Sequence, residues 1–513
     1  MNVVYAVKIF AALLLILALL RLVAGPGLRQ VMSPQDWQGA WPVVIGTLVV
    51  SCFSWRVPFF FVALSLWAIL APRFLGKSGE GRLPAYVLLA CICPQFSMEL
   101  VDVGPLRDVL RLDAFRIVEI FILVPAAIGL LARRERPSAP PWLLASDLAT
   151  CIYTVYFALQ LFGHLSGSAL ARESLQIALD TVLPYYVLSR GCVQPEMRRR
   201  VLSMILFGAT YECLVATVEG LSRHVLYGQL QYLYGISWNI IGALTRGDWV
   251  RAQAAMPGPL VLAMLALFAL GVWFVLRPAA KSRPYTIVGL ILLGGMLATF
   301  SRGPILALLI LVVGLACLRY MSARRFLLLS AVTTVIVSVS WSAGLGDAVL
   351  AAIHYVSGVD QTADFNVLYR QELLRTSIAL IEQSPWWGVP NYLEHMGNLV
   401  QGDGIVDLVN TYLIVTLNVG VVGLALFLTP FLVVLTRLAS SLPSEPSALR
   451  RERLVWIPFT LAIMAAVFTV SPVSIIRSLL AWIVALALAG LQDGLPVRRR
   501  AGLPIAPSAL LKS

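Results

Sequence analysis

Charge is scarce in this sequence. Only 13% of its 513 residues are Asp, Glu, Lys or Arg and 59% are hydrophobic, a balance that excludes a soluble globule. The mean hydropathy of +0.84 points the same way. Acids are scarcer than bases, 26 against 39, and there are four histidines. The seven cysteines (Cys52, Cys91, Cys93, Cys151, Cys192, Cys213 and Cys317) lie in or at the edges of apolar stretches, so they read as small core residues and not as a disulfide framework. Cys91 and Cys93 fall on different helix faces with no histidine nearby, so no metal site is expected there. A glycine-rich phosphate loop, a metal cluster and a flavin fingerprint are also missing, and no cofactor is expected.

What is abundant is apolar helix. Long apolar windows recur at 3–23, 114–132, 143–162, 201–220, 260–276, 286–300, 305–318, 326–341, 412–435, 454–470 and 475–491. Less certain spans lie at 42–53, 58–71, 84–93 and 175–188. The expected fold is all-α: a polytopic membrane protein with about 13 to 15 transmembrane helices and one long periplasmic loop. The first window, with Lys8 ahead of its apolar run and no convincing cleavage site, reads as a retained helix. The chain then divides into N-terminal helices (1–256), central helices (257–343), a loop or lid (344–409), C-terminal helices (410–491) and a cytoplasmic tail (492–513).

Arginines cluster in alternate connections, at 133–136, 190–200, 277–283, 319–325, 437–453 and 498–500. The positive-inside rule makes these cytoplasmic and turns 104–113, 164–172, 221–256, 301–304, 344–409 and 471–473 outward. The N terminus lies outside if residues 42–71 form a hairpin, and inside if they form one bent span.

The longest break in the apolar pattern, 344–409, carries eight acids and two arginines in a chain of formal charge +13. A functional site is expected around it. Four outward arginines, Arg251, Arg302, Arg370 and Arg375, lie beside helix ends, where charge is costly unless it serves a function. Their guanidinium forks suit phosphate oxygens. Arg302 stands out, because "TFSRGPI" sets a cation between two apolar spans at a helix end able to offer free amides to an anion; the alternative is an interfacial, snorkelling arginine. In "NVLYRQELLRTSIALIEQSPWW", Leu368, Leu373, Leu374, Ile378 and Ile381 have helical spacing, which predicts an interfacial amphipathic helix bearing Arg370 and Arg375. Trp386 and Trp387 after it are interfacial anchors or a platform for a sugar ring. Asp407 and Asn410 share one face at the mouth of the next helix. Asp407 there is either a general base toward a hydroxyl or part of an N-cap. His395, beside Glu394, is a second candidate base and a better one than His354.

With these residues in view, the sequence resembles the O-antigen polymerase and ligase family, membrane proteins acting on polyprenyl-pyrophosphate-linked sugars. The resemblance rests on "RAQAAMPGP" before a helix, "SRGP" between helices, "YRQELLRTSIALIEQSPWWGVP", and "VNTYLIVTLNVGVVGLALF" after a polar return, in that order over about half the chain. It implies an inverting, metal-independent glycosyl transfer at the periplasmic side of the bacterial inner membrane. It also implies that Arg251, Arg302 and Arg370 hold the lipid pyrophosphate. Ligases of the family resemble one another in a His-x-His-Asn run entering the helix after the loop; this chain has Asp407, Leu408, Val409 and Asn410 instead. The difference favours polymerisation of exopolysaccharide or O-antigen repeat units over ligation and makes Asp407 the first choice of base. A ligase and a lipid-linked sugar transporter are the alternatives. The expected partners are the lipid-linked glycan, the bilayer and other polysaccharide synthesis and export proteins, with no nucleic acid.

Overall fold

In the computed structural model, the described residues are 2–54, 56–77, 79–99, 111–132, 140–162, 167–230, 244–246, 249–278, 282–342, 361–399, 406, 408–442, 447–472 and 474–493. They form a helical bundle with two short antiparallel ladders, Ser97–Glu99 with Arg111–Asp113 and Thr245–Arg246 with Trp249–Val250. The helices are α1 (Asn2–Val23), α2 (Pro34–Phe53), α3 (Val57–Leu70), α4 (Arg82–Ile92), α5 (Ala114–Leu131), α6 (Pro141–Leu161), and α7, which runs through Gly167–Ile177, Ala178–Val182 and Leu183–Gly191. They continue as α8 (Pro195–Ser222), α9 (Pro259–Val275), α10 (Arg283–Ala298), α11 (Arg302–Cys317), α12 (Ala323–Ser342), α13 (Gln361–Gln383), α14 (Thr411–Ser441), α15 (Ser447–Val467) and α16 (Ser474–Leu491).

Local chemistry sets many of these limits. Ser33 caps α2 by accepting from the Asp36 amide at 3.1 Å, with Pro34 in the first turn, and Asp113 caps α5 through the Arg116 amide at 2.8 Å. Proline and glycine at the start of α9 (Pro257, Gly258, Pro259) and within 301–304 set the limits of the central helices. Among the described residues six helices are long and apolar enough to cross a membrane, and five more apolar helices are shorter.

Burial identifies the hub. The best window of α8 is 89% buried, against 28% for α6 and 33% for α1, so α8 lies at the centre and the others present a flank outward. Packed against α8 are α4, α9 and α10. The outer flanks are apolar, as Leu15, Leu22, Phe59 and Ile128 show, which is the surface a hydrocarbon phase requires. Cys52, Cys91, Cys93, Cys192 and Cys213 are buried, and all seven cysteines are free thiols.

One end of the bundle is tied by ion pairs. Arg200 clasps Asp36 at 2.9 Å, Arg198 binds Asp493 at 2.5 Å, and Arg190 pairs with Asp147. At the other end the backbone itself is irregular. Helix α14 breaks at Gly420, nine residues or roughly 14 Å from its start. Gly420 has φ 64° and ψ −172°, a region open only to glycine. The break frees backbone groups, and the segment 385–389 takes them: the Val389 amide donates to the Leu417 carbonyl at 2.5 Å, and the Val421 amide to the Pro385 carbonyl at 2.9 Å. A Cβ on Gly420 would lie 2.2 Å from the Trp386 carbonyl oxygen. Gly420 therefore does more than pack helices; it is the joint where the segment after α13 locks into α14. Replacing it by alanine is expected to cost about 1 to 3 kcal/mol in backbone strain and to unlock the joint, read as faster proteolysis near Trp387 in the folded protein. An unchanged cleavage rate would show that the joint holds nothing.

Candidate functional site

The site at the irregular end starts from two acids. Glu212 and Glu219 are seven residues apart on α8, hence on one face, and both are fully buried. Their carboxyl groups accept amides from chain that is not helical. Glu219 takes the amides of Leu226 at 2.8 Å, Gln253 at 3.1 Å and Ala254 at 2.8 Å. Glu212 takes that of Ala255 at 3.0 Å. Residues 251–256 thus run through the bundle without a helix of their own, and Ala254 is held at φ 48°. Buried polar backbone demands such acceptors.

This segment carries Arg251 to the turn between α10 and α11. The Ala252 amide donates to the Ala298 carbonyl at 3.0 Å. Arg251 Nε donates to the Thr299 carbonyl at 3.0 Å and Nη2 to Ser301 Oγ at 3.1 Å. Phe300 in the same turn has φ 51°. Because Ser301 faces Arg251, it does not cap α11, whose first amides have no side-chain cap. Arg302 opens that helix. Its guanidinium is exposed and makes no hydrogen bond or ion pair among the described residues.

Arg302 lines a groove of about 530 Å³ between α8 and α10, with Trp249, Leu221, Leu297, Phe300 and Ile305 among its walls. Arg223 lies over the Trp249 ring at 5.1 Å. A cation and uncapped amides at the end of an apolar trough make a place for an amphiphile with an anionic head.

The start of α14 meets this turn through the end of α15. Gly303 lies so close to Thr469 that a Cβ would sit 1.8 Å from Thr469 Oγ1, which explains the glycine of "SRGP". Thr411 Oγ1 donates to the Val470 carbonyl at 2.5 Å, and Ser471 Oγ to the Leu408 carbonyl at 2.9 Å. Asn410 is the N-cap of α14 and accepts from the Leu413 amide at 3.2 Å. Asp407 lies outside the described residues, as do His354, Asp248, most of the acid-rich stretch before α13 and the tail after Asp493.

Of the other residues singled out in the sequence, Arg370 and Arg375 lie exposed on α13, while Leu373, Ser377 and Leu380 form its buried face. Their five-residue spacing puts them on different sides of the helix, and neither pairs with another described residue. His395 is exposed in the 3-10 segment Tyr392–Leu399, beside Glu394. Trp386 and Trp387 are exposed, and the Trp387 ring meets Tyr156 edge-on at 6.2 Å. Tyr392 pairs with Asn418 of α14; burial raises its pKa above the ordinary tyrosine value, and Asn418 opposes that shift. The structure thus brings Arg251 and Arg302 to one turn and sets Asn410 across Thr469 and Val470 from it. Arg370, Arg375 and His395 lie on α13 and the 3-10 segment, which pack against each other and, through α13, against α14. Sequence reasoning had no role for Glu212, Glu219 or Thr469, although two acids seven residues apart inside an apolar helix were a signal.

Taken together, these features define a helical membrane protein with a cationic turn at one end of its bundle. Residues 287–428 match the family model described as O-antigen ligase, a span that holds Arg302, α13, the joint at Gly420 and the start of α14. The match supports the O-antigen ligase and polymerase family without separating ligase from polymerase. Arg251 lies outside the matched span but is bonded to Thr299 and Ser301 within it. A comparison with curated proteins finds no match.

Exchanging Glu219 for alanine removes the acceptor of three buried amides and is expected to destabilise the protein by at least about 2 kcal/mol. The measurement is thermal unfolding in detergent, and a variant as stable as the parent would show that these bonds do not anchor residues 251–256.

Proposed function

We propose that the protein is an inverting glycosyltransferase of the bacterial inner membrane. It polymerises polyprenyl-pyrophosphate-linked oligosaccharide repeat units into an exopolysaccharide or O-antigen at the periplasmic face. The observation that carries this reading is Arg302: a guanidinium unpaired among the described residues, at an uncapped helix start, at the end of an apolar groove and one residue from the hydroxyl that Arg251 holds. The groove suits an isoprenoid chain and the turn suits its pyrophosphate.

In the reaction the growing glycan is the donor. The bond from its anomeric carbon to the pyrophosphate oxygen breaks, and the electron pair leaves with the pyrophosphate. Arg302 and the first amides of α11 meet the charge that grows on that oxygen, with Arg251 behind the turn. A hydroxyl of the incoming repeat unit bonds to the anomeric carbon from the opposite face and gives its proton to Asp407 or His395. Arg370, on α13, meets the phosphates as the resemblance implies, while Arg375 lies on another side of that helix, and Trp386 and Trp387 anchor this segment in the interface or stack on a sugar. Asn410 fixes the mouth of α14. In this scheme guanidinium groups and amides supply all the charge neutralisation.

The family description favours a second reading, transfer of a finished glycan to another acceptor. The sequence Asp407, Leu408, Val409, Asn410 at the mouth, in place of two histidines, supports the polymerase instead.

With purified protein and lipid-linked repeats, Arg302→Ala is expected to slow chain extension by about 10²- to 10³-fold, with Arg302→Lys falling between. Full extension by the alanine variant would remove the pyrophosphate role. In cells lacking the protein, single repeat units on the carrier lipid are expected to accumulate; finished lipid-linked chains there would make it a ligase.

A further inference from the structure

A second unsaturated arginine lies on the other flank of α14. Helices α5 and α7 each widen to π-helix for five residues, Glu119–Leu123 and Ala178–Val182, a winding that often marks functional positions. These turns carry Glu119 and Asp180, both fully buried. Arg116 clamps Asp180 with Nε and Nη2, each at 3.2 Å. Ser478 Oγ of α16 donates to the Asp180 carbonyl at 2.8 Å and lies 3.1 Å from Glu119 Oε1, which ties the start of α16 to both π-turns.

Arg477 is the neighbour of Ser478. It comes only to 3.9 Å from Asp180 Oδ2, a carboxylate that Arg116 already occupies, and makes no hydrogen bond among the described residues. Its N–H donors are thus unspent among the described residues. They face a partly open crevice between α6, α7, α14 and α16 that also holds Asn418, with Phe157, Phe427, Phe431 and Leu480 along its walls. The free space is about 90 Å³. A space this narrow, walled by aromatic rings, suits a single slim apolar chain.

The crevice and the Arg302 turn share a wall. Pro472 lines the crevice and Thr469, three positions earlier, abuts Gly303. Between them Val470 and Ser471 bond to Thr411 and Leu408 at the start of α14. The two cations therefore flank the same mouth.

We propose that this crevice seats a second lipid-linked phosphate, the isoprenoid carrier of the acceptor, with its phosphate on Arg477 and its chain along the aromatic wall. The proposal rests on the polymerase reading, which needs two lipid-linked substrates at once.

The test is native mass spectrometry of the full chain in detergent, titrated with polyprenyl pyrophosphate. The wild type is expected to bind two equivalents, and Arg477→Ala and Arg302→Ala one each. The equivalent retained at the Arg302 turn shows that Arg477→Ala is folded, and Arg477→Lys is expected to regain part of the second. Two equivalents on Arg477→Ala would overturn the proposal. So would displacement of the second equivalent by phosphatidylglycerol, which would make the crevice a general anionic-lipid site. In chain extension, Arg477→Ala is expected to raise KM for the lipid-linked repeat about tenfold with little change in kcat, and an unchanged KM would count against the site. Binding is read without turnover, so a wild type that binds two lipids but extends no chain would sink the polymerase reading and leave the crevice standing.

Discussion

Inside an apolar bundle, a backbone N–H that leaves a helix must find an acceptor within the protein. The irregular end of this molecule depends on that constraint. Residues 251–256 can cross the bundle without helical bonds because Glu212 and Glu219 accept four amides of neighbouring non-helical chain. The helix α14 can break at Gly420 because residues 385–389 supply both an acceptor and a donor to the gap. Each departure from helix places a group that a helix could not: Arg251 against the α10–α11 turn, and the covering segment against the membrane-length helix.

The two ends of the bundle spend charge differently. At the ion-paired end Arg190, Arg198 and Arg200 are answered by Asp147, Asp493 and Asp36, so their charge is used to fasten helices. Arg302, Arg370 and Arg375 at the irregular end have no such answer among the described residues. A cation in or near a low-dielectric phase is expensive when unpaired. Structural roles remove that cost with a carboxylate, and a site for an anionic ligand leaves it open.

The sequence made the helical class and the position of Arg302 at a helix start legible, because both follow from local pattern: apolar windows, and a cation with Gly303 and Pro304 between two of them. Windows such as 260–276 and 286–300 match the helices Pro259–Val275 and Arg283–Ala298 to within a few residues, because prolines near their starts mark the boundaries. Arg251 was visible as a residue but not as a partner, since its anchor, Ser301, lies 50 positions away. The break at Gly420 was hidden because "LNVGVVGLALF" is continuous in pattern; the chain that fills its gap is 35 residues upstream at Pro385. Arg477 escaped because its meaning comes from two π-turns on other helices. Long-range pairing, not local propensity, decides these positions.

The stretch of α14 from Thr411 to Gly420 is bonded at both ends and buried along its length through Val415, Leu417 and Val419, with the helix interrupted at Gly420. Its first residue is tied to Val470, and its last meets the covering segment. Such a piece behaves as a strut with two pinned joints. Whatever holds residues 385–389 in place thereby also holds the mouth of α14, and through Val470 and Ser471 the wall that the two cationic sites share.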